Sequence, residues 1–173
     1  MVDSFPVAVC RFARAPRCRR FRGEAGFGRD HLLKATFYGF RLHARVARSG
    51  VITRLSLAPA GAPDVALLEE LTDGTGGACL GDRAYWKPEL HERLRRQGLE
   101  MLVPFRKAGS DPTPERSRVI SGIRYRIETV FGQLCERLSA KRVCARDLWH
   151  LSSRLLRKVL AHTAMVTRAF ALG

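Results

Sequence analysis

Three carboxylates stand where regular structure would aim them at one point, in a 173-residue chain with only 16 acids against 31 Lys and Arg. Asp3 follows Met1-Val2 and precedes Ser4-Phe5-Pro6. Asp82 closes the apolar run Ala78-Cys79-Leu80 after Gly81. Glu128 lies one position past Ile127, at the edge of an apolar helix stripe. Carboxylates at strand ends, joined by another reaching over from a helix, supply the oxygen ligands that hard divalent cations take. Two such ions about 4 Å apart activate an attacking hydroxyl and stabilise the leaving oxygen of a phosphodiester. Each acid also has an ordinary reading. Asp3 would be a residue of a frayed end, Asp82 a turn or cap aspartate, and Glu128 half of a surface ion pair with Arg124 four residues earlier.

The elements that must position these acids follow from periodicity. Phe40, Leu42, Ala44 and Val46 alternate with Arg41, His43 and Arg45, and Val51, Thr53, Leu55 and Leu57 alternate again beyond the Ser49-Gly50 turn. That pattern predicts a β-hairpin. Asp64 is placed to cap a short helix whose apolar side is Val65, Leu68 and Leu71. After the glycines at 74, 76 and 77, residues 78–80 form a short strand, with Asp82 just past its end. Pro88 opens a helix that Gly98 stops, and Leu99 to Val103 form another strand. A basic loop follows from 106 to 116. Ile120, Ile123, Ile127, Val130 or Phe131, Leu134 and Leu138 then make one helical stripe. A last helix, capped by Asp147, carries Leu148, Leu151, Leu155, Val159 and Val166, so helices fill about 118–170. Residues 10–34, rich in Arg and broken by glycines at 23, 26 and 28, read as a basic loop. This order predicts a single α/β domain over 1–173, a mixed sheet with helices packed on it.

The net charge of +15 concentrates polyanions, of which nucleic acid is the commonest. Arg11, Arg14, Arg17, Arg19 and Arg20, with Arg106 and Lys107 further on, are candidates for tracking phosphates by charge; a solvated surface is the alternative. Five cysteines without a Cys-x-x-Cys pair argue against a disulfide framework or a zinc knuckle and for reduced thiols. No run approaches the roughly 20 apolar residues of a membrane span, nor is there a secretory leader. A soluble intracellular protein is expected.

Four segments, in order, carry a family resemblance: Asp3-Ser4-Phe5-Pro6; Tyr38-Gly39-Phe40-Arg41-Leu42-His43 with Gly50-Val51-Ile52-Thr53 and Leu57-Ala58-Pro59-Ala60; Gly81-Asp82-Arg83-Ala84-Tyr85; and Arg124-Tyr125-Arg126-Ile127-Glu128. Together they resemble insertion-sequence transposases of the DDE type. The resemblance implies a ribonuclease-H-like core, a mixed five-stranded sheet with flanking helices. It makes Asp3, Asp82 and Glu128 the catalytic triad, holding two Mg²⁺ ions for which Mn²⁺ can substitute. The implied reaction is DNA strand cleavage and strand transfer, with water and then a 3′-hydroxyl as nucleophile. Arg124 would face the DNA backbone or steady Glu128, Tyr85 would pack or touch DNA beside Asp82, and Arg126 would join the DNA contacts. The partners would be element ends and target DNA, met by a homo-oligomer associated with the bacterial nucleoid in the cytoplasm. Ser121 and Cys135 stand where many related transposases carry Tyr and Lys, leaving Lys141 or Arg137 as substitutes.

With only Met1 and Val2 ahead of the first aspartate, that aspartate is expected at the exit of a truncated first strand, in an N-terminally shortened copy. Two other readings follow. The chain would be an inactive remnant that only binds nucleic acid through its basic surface, or a basic RNA-associated protein, which explains the charge but not the order of motifs.

Overall fold

The computed structural model describes residues 1–30 and 33–171. Residues 31 and 32 of the expected basic loop, and 172 and 173, lie outside the described residues. The strand that organises the chain is β3 (Ala35–Val46), which pairs on both edges. Strand β1 (Val2–Arg11) runs antiparallel along one edge, from Val2 opposite Arg45 to Arg11 opposite Phe37. On the other edge β2 (Gly26–Asp30) covers the first part of β3, and β4 (Ile52–Pro59) covers the rest from Phe40 to Val46. The hairpin read from the sequence is therefore present, with its first strand longer at the start.

The second half of the chain begins with helix α1 (Leu68–Thr72). Strand β5 (Gly77–Leu80) follows, then α2 (Pro88–Arg96) and β6 (Leu99–Leu102). Strands β5 and β6 are parallel, with Cys79 opposite Met101. Two long helices finish the described chain, α3 (Pro114–Glu136) and α4 (Leu148–Ala171). The Asp147 carboxylate accepts the His150 N–H at 2.9 Å at the start of α4, the capping role expected of it.

The sheet differs from the expected five strands. The described strands form a four-stranded antiparallel sheet and a separate parallel pair, because no ladder joins β1 to β5 among the described residues. Pro6, which has no N–H to give, is tolerated in a strand whose free edge needs no donor there.

The first strand extends well past Asp3. It runs ten residues, and Asp3 lies near its start rather than at its exit. Pairing reaches the very first residues, where Val46 N donates to Met1 O at 2.7 Å.

Among the described residues, 10–30 are also more ordered than a loop. They hold a 3-10 turn over Phe12–Arg17 and the strand β2. Gly23 does turn the chain, at φ +80°, but Gly26 and Gly28 permit close approach: a β-carbon on Gly28 would lie 2.7 Å from Ala60 Cβ and O. Phe21 pins the segment down, its ring 5.3 Å from that of Phe40 and its carbonyl accepting from Tyr38 OH at 3.0 Å. On α3, Ile123 departs from its stripe and is exposed, whereas Ile120, Ile127, Val130, Phe131 and Leu134 are buried.

Two cores result. Phe5, Val7, Phe40 and Leu42 of the large sheet pack against Ile127, Phe131 and Leu134 of α3 and Leu151 and Leu155 of α4. The other gathers Leu68, Leu71, Cys79, Leu90, Leu94, Leu99 and Met101, and it includes Val2. Each large apolar side chain so enclosed contributes roughly 1.5–3 kcal/mol relative to exposure. Side chains alternate along a strand, so Val2 and Ser4 face one way while Asp3, Phe5 and Val7 face α3. Asp3 thus sits on the strand where the two cores meet.

Candidate active site

Facing α3, Asp3 meets Arg124, whose Nη2 donates to Asp3 Oδ2 at 2.8 Å. Ser4 N donates to the other oxygen, Oδ1, at 2.8 Å. The pair is well shielded, with 18% of the Asp3 side chain and 13% of the Arg124 side chain exposed. Burial pushes the Asp3 carboxyl from the ordinary 3.8 to about 6. The Arg124 guanidinium and the Ser4 N–H pull it down, and the negative charge of Asp82 pushes it up. Desolvation wins over the ion pair. Asp82 lines the same cavity as Asp3, although the two are 79 positions apart by number (82 − 3).

Asp82 is held by a local turn. It follows the end of β5, where its Oδ1 accepts from Ala84 N at 2.9 Å and caps the 3-10 turn Arg83–Tyr85. Tyr85 folds back under the strand end, so a β-carbon on Gly81 would lie 3.1–3.2 Å from its side chain. The Gly-Asp-x-x-Tyr spacing is the spacing of this turn. Glu128, one helical turn beyond Arg124 on α3, is exposed beside the fully buried Ile127. Asp3, Asp82 and Glu128 come from three elements and line one cavity of about 600 Å³.

The same cavity holds residues read differently from the sequence. Asp64 is not a cap: Pro63 takes that position, and Asp64 Oδ1 accepts from Ser4 Oγ at 2.7 Å. Arg41 Nη1 donates to the same Ser4 hydroxyl at 3.2 Å. His43 lies behind them, fully buried, with Nδ1 3.5 Å from Asp64 Oδ1. Burial lowers the His43 pKa, and the nearby Arg41 lowers it further, against the opposing pull of Asp64. Sequence reasoning missed this group because Arg41 and His43 fall in the polar phase of the β3 alternation, the pattern of a strand with one solvent face, whereas His43 is fully buried. Lys141 also lines the cavity, 3.7 Å from Asp30 Oδ2, as does Cys135, whereas Arg137 is exposed.

One expected DNA contact is corrected. Tyr85 is fully buried in the second core and cannot touch DNA. Arg124 pairs with Asp3 rather than with Glu128. Arg126 is exposed on α3, and Arg11, Arg14, Arg17, Arg19 and Arg20 are exposed as well. The last four line a shallow hollow of about 480 Å³. Arg106 and Lys107, also exposed, lie on the chain leaving the carboxyl end of β6. Because β5 and β6 are parallel, that chain departs on the same side as Asp82, where open α/β sheets bind their ligands.

Among the described residues, no three acidic, His or Cys side chains converge closely enough to make a ready metal cage. The donor chemistry nevertheless suits a hard divalent cation. The oxygens of Asp3, Asp82 and Glu128 share one cavity, and the buried Asp3 is paired with a cationic guanidinium.

The family model described as Transposase DDE domain matches residues 1–145. No curated protein and no solved structure matches the chain.

Proposed function

We propose that this chain, which belongs to the transposase DDE-domain family, is a catalytic core that cleaves DNA strands and transfers them during insertion-sequence transposition. The observation that carries this reading is the shared cavity of Asp3, Asp82 and Glu128. Magnesium bound there, as two ions, would supply the Lewis acidity that activates the attacking hydroxyl and stabilises the leaving oxygen. Asp3 and Asp82 would give strand-end oxygens and Glu128 a helix oxygen. For Asp3 to serve, its carboxylate must exchange Arg124 for the cation. Arg124, once released, would be free to take a phosphate oxygen. No side chain acts as a covalent nucleophile.

DNA is the partner this reading requires, with two or more copies of the chain assembled on it. The exposed arginines of 11–20, with Arg106, Lys107 and Arg126, supply positive charge along its path. No described helix is long and apolar enough to cross a membrane. The deciding experiment incubates end-labelled DNA with purified protein and Mg²⁺ or Mn²⁺, alongside Asp82→Ala. Nicking by the parent that the variant lacks supports the reading; equal nicking by both, or none by either, sinks it. One observation favours passive DNA binding instead: the Arg124 pairing that occupies Asp3.

Charge-driven binding has its own signature. The logarithm of the binding constant falls with the logarithm of salt by about 0.9 per phosphate neutralised on duplex DNA. Changing Arg14, Arg17, Arg19 and Arg20 together to Gln should therefore flatten that slope by up to about 3–4 in a fluorescence-anisotropy titration. A slope equal to the parent's would remove this segment from the DNA path.

A further inference from the structure

Tyr85 is among the largest side chains fully enclosed by the described residues, and its hydroxyl has no hydrogen-bond partner. A buried phenol without a partner costs free energy that phenylalanine, filling the same space, would not. Such a group is explained when a partner arrives in another state of the site. The ring cannot move to find one. The space beside Gly81 is filled by it, so that a β-carbon added there would lie 3.1 Å from the ring, and its backbone carbonyl is tied to His91 Nε2 at 2.7 Å.

The groups near the hydroxyl can move. Asp82 caps the turn that carries Tyr85, and Asp3 and Asp64 line the same cavity as Asp82. Burial raises the Tyr85 pKa and the charges of these three carboxylates raise it further, so the hydroxyl stays protonated. Each is turned to another donor here. Asp3 takes Ser4 N and Arg124, Asp82 takes Ala84 N, and Asp64 takes Ser4 Oγ. Rotation about two side-chain bonds would change the partners of Asp3 or Asp82, whereas the Tyr85 hydroxyl is fixed where it is.

We infer that Tyr85 is a positioning residue whose hydroxyl donates to Asp3 or Asp82 once these carboxylates turn onto a divalent cation. It would fix the oxygen not bound to the ion, as outer-shell donors do at metal sites. The inference rests on the catalytic reading above and assigns Tyr85 a role that neither packing nor DNA contact provides.

The test is Tyr85→Phe in the full chain, with Mn²⁺ affinity measured by electron paramagnetic resonance and melting followed separately in EDTA. Mn²⁺ affinity should fall about tenfold to a hundredfold, the usual loss for an outer-shell partner. The metal-free protein should melt at or above the parent temperature, because the lost hydroxyl had no partner there. Affinity within about threefold of the parent, against the loss expected for an outer-shell donor, overturns the inference. So does metal-free melting below the parent, which would mean the hydroxyl serves Asp64 structurally. Asp82→Ala separates the two levels. If the parent binds Mn²⁺ no better than Asp82→Ala, the catalytic reading fails and takes this inference with it. If Asp82→Ala loses Mn²⁺ and Tyr85→Phe keeps it, only the role of Tyr85 falls.

Discussion

Replacing Asp3 with asparagine should abolish metal-dependent DNA cleavage yet leave a folded protein that gains stability relative to the parent as pH rises. The catalytic loss should be at least about a thousandfold, roughly 4 kcal/mol of transition-state stabilisation. An amide oxygen carries no charge for a divalent cation and cannot replace one of three carboxylates. Folding should survive because asparagine has nearly the same shape and keeps one oxygen, which can accept from Ser4 N, although the amide NH2 cannot replace the second oxygen that accepts from Arg124. The stability effect follows from linkage. The Asp3 carboxyl titrates near 6 in the folded protein and near 3.8 in an ordinary environment. Between those values the folded state holds a proton that the unfolded state has lost, so parent stability falls as pH rises. Below about 4 both states are protonated, and above about 6 both are ionised with the burial penalty fully present. The shift of about two units limits the effect to roughly 3 kcal/mol. Asparagine has no such slope. Denaturant titrations at pH 4, 5, 6 and 7 should show the difference between variant and parent widening to pH 6 and then levelling. Cleavage by Asp3→Asn within about tenfold of the parent, a mere 1.4 kcal/mol, would remove Asp3 from the chemistry.

What the sequence disclosed about this site depended on how local each arrangement is. Gly81, Asp82 and Tyr85 form a turn of a few residues, so their spacing carries their geometry with it. Glu128 was readable because Ile127 and Leu134 repeat at helical period, although the same stripe wrongly enclosed Ile123. Asp3 and Arg124 are 121 positions apart, and no local pattern links a strand residue to the helix it will face. Ser4 and Asp64 meet in the same non-local way. The separation of β5 and β6 from the larger sheet is likewise a matter of which ladder forms, and alternation along each strand does not record it. Gly26 and Gly28 misled for a related reason. Gly28 marks a close approach, and the chain it approaches, at Ala60, lies outside any window read around it.

Gly39 tests how firmly that non-local geometry is held. It lies on β3 opposite Ala8, where β1 carries an extra residue, Val9, before Cys10 pairs with Tyr38. A β-carbon on Gly39 would sit 2.4 Å from Val7 O, 2.8 Å from Val9 N and 3.1 Å from Ala8 Cα. All three are backbone atoms of β1, so no side-chain rotation relieves the overlap. The other edge is no freer, because Gly39 is also paired with Gly26, and its carbonyl accepts from Ala60 N at 3.0 Å. Overpacking usually costs about 1–3 kcal/mol, and Gly39→Ala should reach the upper end or exceed it because β1 itself must shift. For a domain of this size that is a melting temperature lower by roughly 6–12 °C, at about 2–4 °C per kcal/mol. Gly122→Ala is the control: that glycine lies in α3 with nothing within 4 Å of its added carbon, so alanine there should stabilise by roughly 0.5–1 kcal/mol. Opposite signs for the same chemical change would locate the effect in the β1 contact. Because β1 carries Asp3, Gly39→Ala should also weaken Mn²⁺ binding at temperatures where the variant is still folded. If Gly39→Ala melts with the parent, β1 can shift on β3 without penalty, and the placement of Asp3 depends on Arg124 and Ser4 rather than on strand register.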